Sequence, residues 1–202
     1  MNTAALLFDE GPLTLVDDRE GGIRYWPQWI DSELADELFV RLRDGIAWHS
    51  EQRPMYDRIV DVPRLQATVA LASADPNDGL RQIAARIATV APGGYSHVGL
   101  NFYRDGHDSV AMHNDRTHDL VESAPIAILS LGAQRDMLIR RQDKSARAVR
   151  ITLEPGSLLV MSHASQFTHE HGIPKTTHPV GPRISCAYRA RQFGRLDANN
   201  VS

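Results

Sequence analysis

Two segments in the first half of the chain place apolar residues three and four positions apart, which is the spacing of one helix face. The first covers 31–45 ("DSELADELFVRLRDG"), with Asp31 or Ser32 as the N-cap and Gly45 as the stop. The second covers 78–90 ("DGLRQIAARIATV") and repeats the pattern. Because both predicted helices are amphipathic, we expect them to cover a sheet.

Beyond the "PGG" of 92–94 the pattern changes to alternation of apolar and polar residues, which is typical of β-strands with one buried face. The first predicted strand has Val98, Leu100 and Phe102 on one face. Further strands are predicted at 125–132, 136–141, 148–153, 157–162 and 183–191. The pattern predicts no strand before residue 95. Many short strands after early helices indicate a mainly β fold, a sandwich or barrel of antiparallel sheet with helices packed on it.

Length and composition are those of an ordinary globular protein. The chain has 202 residues, of which 42% are hydrophobic and 23% charged, so we expect one domain with a sizeable core. It has no basic leader and no run of the roughly 20 apolar residues that span a bilayer. We therefore expect a soluble, intracellular monomer. The single cysteine, Cys186, excludes an intramolecular disulfide and is expected to fill core space.

The charge pattern changes this picture only locally. A formal net charge of −3 gives the whole molecule no attraction for nucleic acid. The segment 140–150 ("RRQDKSARAVR") nevertheless carries five Lys and Arg residues against one acid, Asp143. Two interpretations stay open: a solvated hairpin tip, or a phosphate-binding patch that includes Arg140 and Arg141.

The stretch "SVAMHNDRTHDL" contains the first candidate for chemistry. His113 and Asp115 project to the same face if this stretch is extended, because side chains alternate along a strand. A metal site needs a third donor, and His163, His169 and His171 crowd together downstream. Two histidines and one carboxylate on one side of a metal leave its other positions open, which is the arrangement of non-haem Fe(II) oxygenases.

A second group of residues indicates an anionic ligand. Arg183 and Arg189 are six positions apart and face the same way on a strand, where two guanidinium groups repel unless an anion joins them. A dicarboxylate co-substrate would do so. Asn101 and Tyr103 share one face of an earlier strand and offer an amide and a phenol to the same kind of ligand.

Four stretches together resemble the AlkB-type Fe(II)/2-oxoglutarate dioxygenases. They are "LNFYRDGHDSVAMHND", "PIAILSLGAQRDMLIRR", "LEPGSLLVMSHASQFTHEHGIPK" and "GPRISCAYR", which stand in the order and approximate spacing of that family. The resemblance implies a double-stranded β-helix (jelly roll) with N-terminal helices packed on the sheet. It also implies one domain over 1–202, in which 1–94 form the N-terminal helices and a substrate lid and 95–191 form the β-helix core.

The same resemblance implies the ligands of the site. Iron would be bound by His113, Asp115 and a distal histidine, and 2-oxoglutarate by the four residues of the anionic-ligand group, Asn101, Tyr103, Arg183 and Arg189. His169 and His171 lie on the same face of a strand, so alternation alone does not decide which of them is the distal ligand. The family pattern places that ligand directly before an apolar and proline element, here "GIP", which selects His171 as the metal-binding and catalytic residue. His169 would then lie on the substrate side.

The substrate side departs from the family at several positions. By the resemblance, Tyr56 would be a duplex-probing finger and Arg64 a phosphate or lid contact, whereas Tyr56 alone reads as an ordinary loop aromatic. Residues 65–94 contain no aromatic side chain that could stack on a flipped base. Thr117 stands where an acidic base contact is expected, and Ser185 where an asparagine is expected.

The resemblance implies oxidative dealkylation of alkylated nucleobases in DNA or RNA, a DNA-repair activity that consumes O₂ and 2-oxoglutarate and releases formaldehyde, succinate and CO₂. An alternative keeps the iron chemistry but hydroxylates or demethylates a protein or small molecule, as the missing lid aromatics and acidic net charge would allow. A third interpretation is a catalytically silent metal-binding interaction module. Arg183 and Arg189 argue against it, because a silent module needs no co-substrate anchor.

Overall fold

The computed structural model describes residues 11–55 and 58–192. Within them, α1 (Ser32–Gly45) starts directly after Asp31, whose carboxylate accepts a hydrogen bond from the backbone N–H of Leu34 at 2.8 Å. The second helix, α2 (Leu80–Val90), follows Gly79, which has a φ of +78°. Both helices lie where the apolar spacing predicts them, to within two residues.

Strands make up most of the described chain. In chain order they are β1 (Leu13–Val16), β2 (Ile23–Trp26), β3 (His49–Met55), β4 (Arg58–Ala70), β5 (His97–Tyr103), β6 (Val110–His113), β7 (Ile126–Gly132), β8 (Arg135–Arg141), β9 (Val149–Leu153), β10 (Leu158–Met161), β11 (His169–Ile173) and β12 (Arg183–Arg189). Short 3₁₀ turns cover Leu71–Ser73, Thr117–Asp119 and Ala164–Phe167.

The strands form two antiparallel sheets. The larger sheet has the order β1-β2-β10-β7-β12-β5-β4-β3, and the smaller has the order β6-β11-β8-β9. The buried side chains of the protein form two hydrophobic clusters. One contains residues of both helices together with residues of the larger sheet, such as Leu129 and Ile184. The other joins residues of the two sheets, such as Ile128 and Ile139. This is the predicted jelly-roll architecture with helices packed on the sheet.

The first four strands differ from the sequence prediction, which placed no strand before residue 95. They contribute half of the eight-stranded sheet. β1 and β2 have four residues each, too few for alternation to be recognised, and β3 ("HSEQRPM") is a polar edge strand. The region that was expected to supply helices and a lid therefore also supplies sheet.

Two smaller expectations can be compared with the structure. Cys186 is fully buried on β12, and burial raises the pKa of its thiol to about 12, so it is a core residue. Within the described ranges, no helix is long and apolar enough to cross a bilayer.

Candidate active site

The candidate metal ligands come together at one end of the smaller sheet. His113 at the end of β6 stands directly opposite His171 on β11, with ring centroids 4.5 Å apart. Asp115 follows two residues after β6 and is 9% exposed. One potential ligand atom from each of these three side chains lies within 4.8 Å of the other two. Strand pairing therefore joins residues that are far apart in the chain.

Both imidazoles of this cluster can offer a lone pair. Nδ1 of His113 lies 2.9 Å from the carbonyl oxygen of Ala111, which can only accept, so Nδ1 carries the proton and Nε2 is free to bind a metal. Burial, reinforced by the nearby His113, lowers the pKa of His171 to about 4. His171 is therefore neutral near pH 7, as a metal ligand must be.

Arg189 fixes the carboxylate of Asp115. Its Nε and Nη2 donate to Oδ2 of Asp115 at 2.9 and 2.8 Å, while Oδ1 lies 4.0 Å from Nε2 of His113. Burial acts to raise the pKa of Asp115, but the charge and the hydrogen bonds of Arg189 outweigh it, and this pKa lies below its usual value. Gly99 leaves room for the arginine, because a Cβ there would come within 2.7 Å of its Nη1.

The other two histidines near β11 do not join the cluster. His169 at the start of β11 has Nδ1 2.9 Å from the hydroxyl of Thr168, and burial lowers its pKa. The ring of His163 packs edge-on against Phe167, with centroids 5.2 Å apart. Of these three histidines, His171 alone lies in the metal-ligand cluster with Asp115.

Arg183 lies fully buried on β12 with unused hydrogen-bonding capacity. Its Nη2 donates to Oγ of Ser130 at 3.0 Å, and its Nε and Nη1 have no hydrogen-bond partner among the described residues. Its Cζ stands 5.2 Å from the ring centroid of Tyr103, itself only 3% exposed. A buried guanidinium without an acidic partner is costly, and a carboxylate ligand would supply the missing negative charge and accept from an orphaned donor. The chemistry of Arg183 therefore suits an anionic ligand with a carboxylate, such as 2-oxoglutarate.

Arg64 and Asn101 are hydrogen-bonded to each other. Nε of Arg64 donates to Oδ1 of Asn101 at 2.7 Å, and its Nη1 lies 3.3 Å from the carbonyl oxygen of Ser109. A residue expected on the substrate side thus contacts a residue expected to bind 2-oxoglutarate. The amide nitrogen of Asn101 remains a donor for a ligand.

Arg140 and Arg141 of the basic segment are paired with acids. Nε of Arg140 donates to Oε1 of Glu170 at 2.8 Å, and its Nη2 contacts the same oxygen. Nη2 of Arg141 donates to Oδ2 of Asp143 at 2.9 Å. The predicted phosphate patch is therefore partly neutralised by its own neighbours.

The structure describes one of the two other predicted substrate residues, Thr117, but not the other, Tyr56. Thr117 is half-buried and begins the 3₁₀ turn that follows Asp115, so it lies close in sequence to the metal-ligand cluster. Tyr56 lies outside the described residues, and its expected role stays a prediction.

The structure adds a residue that the sequence analysis did not single out, Arg135. It is 4% exposed and donates to the carbonyl oxygens of Asp105, Asp108 and Pro174 at 2.9, 2.9 and 2.7 Å. Its Cζ lies 5.7 Å from the ring centroid of Tyr103. Its partners are backbone atoms of distant segments, so no side-chain pattern in the sequence marked it.

The three clustered side chains are the residue types that bind Fe(II) in non-haem oxygenases, and the buried Arg183 is of the type that binds a carboxylate. Comparison with known families agrees: a model described as the 2OG-Fe(II) oxygenase superfamily matches residues 22–196. The chain belongs to this family. The cofactors that the family implies, Fe(II) and 2-oxoglutarate, suit the donor set of the site.

Similar proteins narrow the family to the AlkB type, as the sequence motifs predicted. The "DNA oxidative demethylase ALKBH2" of Mus musculus is 30% identical over 177 residues, covering 77% of this chain and 74% of the relative. The "Alpha-ketoglutarate-dependent dioxygenase alkB homolog 3" of Homo sapiens is 28% identical over 183 residues, covering 81% and 64%. The Bos taurus ALKBH2 is 27% identical over 177 residues, covering 77% and 64%. The chain thus spans about two thirds of the length of several curated relatives.

One solved structure supports the fold independently. "The structure of OsALKBH1" aligns with a TM-score of 0.57 and covers 83% of this chain and 97% of that one. Its sequence identity is 15%, so this likeness concerns the fold alone.

Proposed function

We propose that this protein is an Fe(II)/2-oxoglutarate-dependent dioxygenase that removes alkyl groups from nucleobases in DNA or RNA. His113, Asp115 and His171 would bind the iron. The observation that carries this proposal is the meeting of these three side chains, with one potential ligand atom of each within 4.8 Å of the other two. The same fold also buries Arg183, two of whose donors have no partner among the described residues. Neither feature is needed for a purely structural protein, and each costs stability without its ligand.

The group that binds here supplies one kind of chemistry: Fe(II) with 2-oxoglutarate and O₂ oxidises a C–H bond, and an N-methyl group hydroxylated in this way leaves as formaldehyde. The protein provides placement. His113 and His171 offer neutral nitrogens, while Arg189 holds Oδ2 of Asp115 and leaves Oδ1 directed to His113. None of these residues has to transfer a proton.

The co-substrate 2-oxoglutarate would be bound by the anionic-ligand group, Asn101, Tyr103, Arg183 and Arg189. Arg183 would pair with a carboxylate of 2-oxoglutarate, and at least one of its two donors without a partner among the described residues would then be satisfied. Tyr103 lies against the same guanidinium, and the amide of Asn101 offers a further donor. Complete burial of Arg183 keeps water out of the ion pair and strengthens it. Arg189 already binds Asp115, so any contact it makes with 2-oxoglutarate would be additional to that task.

The nucleic-acid substrate is supported by the relatives, two of which are described as DNA oxidative demethylases. Within this chain, phosphate contacts would come from Arg140 and Arg141 and from the substrate side near Arg64. We propose further that residues 1–202 act as one intracellular, monomeric domain. The single-domain part of this proposal is supported by the pairing of β2 with β10, which joins an early strand and a late strand in one sheet.

A second candidate substrate class is a protein or small molecule. It is favoured by the ion pairs of Arg140 with Glu170 and of Arg141 with Asp143, which reduce the positive charge available to phosphate. The absence of aromatic residues from 65–94 favours it too, since a flipped base needs a stacking partner.

The test is formaldehyde release by the iron-loaded protein. Substrates are single- and double-stranded DNA and RNA oligonucleotides with several N-alkyl lesions, compared with a panel of methylated peptides. We expect turnover of at least one oligonucleotide and loss of that turnover in His171→Ala. Turnover of peptides alone would move the function to the second substrate class. Failure to convert 2-oxoglutarate to succinate with any substrate would contradict the dioxygenase assignment.

A further inference from the structure

A buried glutamine contacts the backbone of the candidate metal ligand Asp115. Gln166 lies in the 3₁₀ turn between β10 and β11 and is 1% exposed. Its Oε1 accepts a hydrogen bond from the backbone N–H of Asp115 at 3.0 Å, across 51 residues of sequence. A buried N–H without a partner is costly, so this contact strongly favours one position of the Asp115 backbone.

The position of Asp115 explains why such a contact is needed. β6 ends at His113, so Asp115 lies beyond the strand and its N–H is bonded to Gln166 instead of to a neighbouring strand. Arg189 fixes the carboxylate of the same residue from the other side. Asp115 is therefore held at two points, its backbone by Gln166 and its side chain by Arg189.

The glutamine is itself held by a buried chain of hydrogen bonds. Nε2 of Gln166 donates to Oγ of Ser165 at 3.3 Å, and this hydroxyl donates to the carbonyl of Ser162 at 2.7 Å. Oγ of Ser162 donates to Oδ2 of Asp18 at 2.6 Å. Asp18 lies in the turn between β1 and β2, so this chain connects the first hairpin of the fold to the metal-ligand cluster. Because Nε2 is directed to a hydroxyl, the amide presents its oxygen to Asp115.

We propose that Gln166 is a positioning residue for the metal site: it sets the place of Asp115 through the backbone, and so controls metal affinity without touching the metal. The proposal rests on the proposed function in one respect, that Asp115 is a ligand. Partners in the shell around metal ligands alter affinity by about 10- to 100-fold when removed.

The experiment compares two substitutions of nearly equal size. Gln166→Met keeps the volume but removes the acceptor, and Gln166→Glu keeps an acceptor oxygen in the same place. Binding of Co(II), a redox-stable probe for an Fe(II) site, is measured with the metal-free full-length protein by its visible spectrum. We expect the dissociation constant to rise by about 10-fold or more in Gln166→Met, with a changed spectrum. Gln166→Glu should stay within about threefold of the unsubstituted protein.

A matched control is available at Gln142. This exposed side chain donates to the backbone carbonyl of Gln166 at 3.2 Å, and its hydrogen bond does not involve Asp115. Gln142→Ala therefore removes a hydrogen bond from the same turn and should leave Co(II) affinity unchanged. Thermal unfolding of each metal-free variant reports stability separately from affinity.

The outcomes separate the two proposals. If the unsubstituted protein does not bind Co(II), the proposed function fails. If it binds, and folded Gln166→Met binds with the same affinity and spectrum, the positioning role of Gln166 is wrong. If Gln166→Met does not fold, Ser165→Ala decides: it removes the partner of the amide nitrogen and should weaken Co(II) binding by about two- to fivefold. Unchanged affinity in that variant would overturn the proposal.

Discussion

Two groups of arginines in this protein have opposite surroundings. Arg183 lies fully buried in the jelly roll, with two guanidinium nitrogens that have no partner in the described part of the chain. Arg140 and Arg141, at the end of β8, are partly or largely exposed, and each is already paired with a carboxylate of the protein. The sequence predicted an anion ligand for Arg183 and left two interpretations open for Arg140 and Arg141, a solvated hairpin tip or a phosphate-binding patch.

The difference shows what a ligand has to provide in each place. A carboxylate that reaches Arg183 satisfies donors that otherwise have none, in surroundings of low dielectric constant where the attraction is strong. A phosphate that reaches Arg140 or Arg141 has to compete with Glu170 or Asp143 in water, where an exposed ion pair contributes at most about 1 kcal/mol. We therefore expect large effects from changes in the buried site and small ones at the surface.

The largest effect is expected at His171. Removing one of three ligands weakens iron binding and disturbs the geometry of the remaining two, so His171→Ala should abolish turnover. His169→Ala is the matched control, because His169 lies two residues away on the same strand but outside the ligand cluster. It should retain measurable activity. Iron content after reconstitution and succinate formation measure both variants, and loss of iron from His169→Ala alone would show that the ligand assignment is wrong.

The second largest effect is expected at Arg183. Its replacement should weaken binding of 2-oxoglutarate but stabilise the metal-free protein. Arg183→Met should raise the KM for 2-oxoglutarate by at least about 30-fold, equivalent to about 2 kcal/mol, because truncating one member of a buried charge pair costs this much or more. The metal-free protein should not lose stability and should gain up to about 3 kcal/mol, because an uncompensated buried charge is removed. Steady-state kinetics and chemical denaturation measure the two effects. An unchanged KM would mean that the dicarboxylate is anchored elsewhere.

Most candidate site residues could be predicted from the sequence alone. His113 and Asp115 were found from alternation along one short segment, and Arg183 from alternation along another, because side-chain direction within a strand is a local property. The choice of His171 over His169 needed the family pattern, since both lie on one face. Local pattern could therefore name most candidate residues of the site.

What the sequence could not predict are contacts between segments. Arg189 was expected to bind 2-oxoglutarate because it faces the same way as Arg183, yet its guanidinium binds Asp115, 74 residues away. Gln166 lies within one of the stretches that resemble the family, but it carries no charge and the resemblance assigned it no role, so nothing marked its contact with the Asp115 backbone. Arg140 and Glu170 became partners only when β8 paired with β11. Pairing of distant strands decides which charges are free to bind ligands, and no local pattern contains it.

The smallest effect is expected at the surface arginines. The double substitution Arg140→Ala/Arg141→Ala should weaken oligonucleotide binding by less than about tenfold, equally for all base sequences, and should reduce the salt slope by about one. Contacts to phosphate carry no base information, which explains the uniform loss. Binding at several salt concentrations measures it. A loss confined to one sequence, or a slope that does not change, would contradict a phosphate role.

The converse substitution tests whether the ion pair limits this surface. Glu170→Gln removes the carboxylate that Arg140 contacts and should strengthen oligonucleotide binding by about two- to fivefold, with a steeper salt slope. Glu37→Gln is the matched control, because it makes the same change of charge and releases Arg41 from its ion pair on α1, outside the basic segment. If both variants strengthen binding equally, the gain comes from net charge, and Arg140 makes no specific phosphate contact. If only Glu170→Gln does so, nucleic acid binds at the end of β8 that adjoins the metal-ligand cluster, because β11 pairs its His171 with Ile139 there.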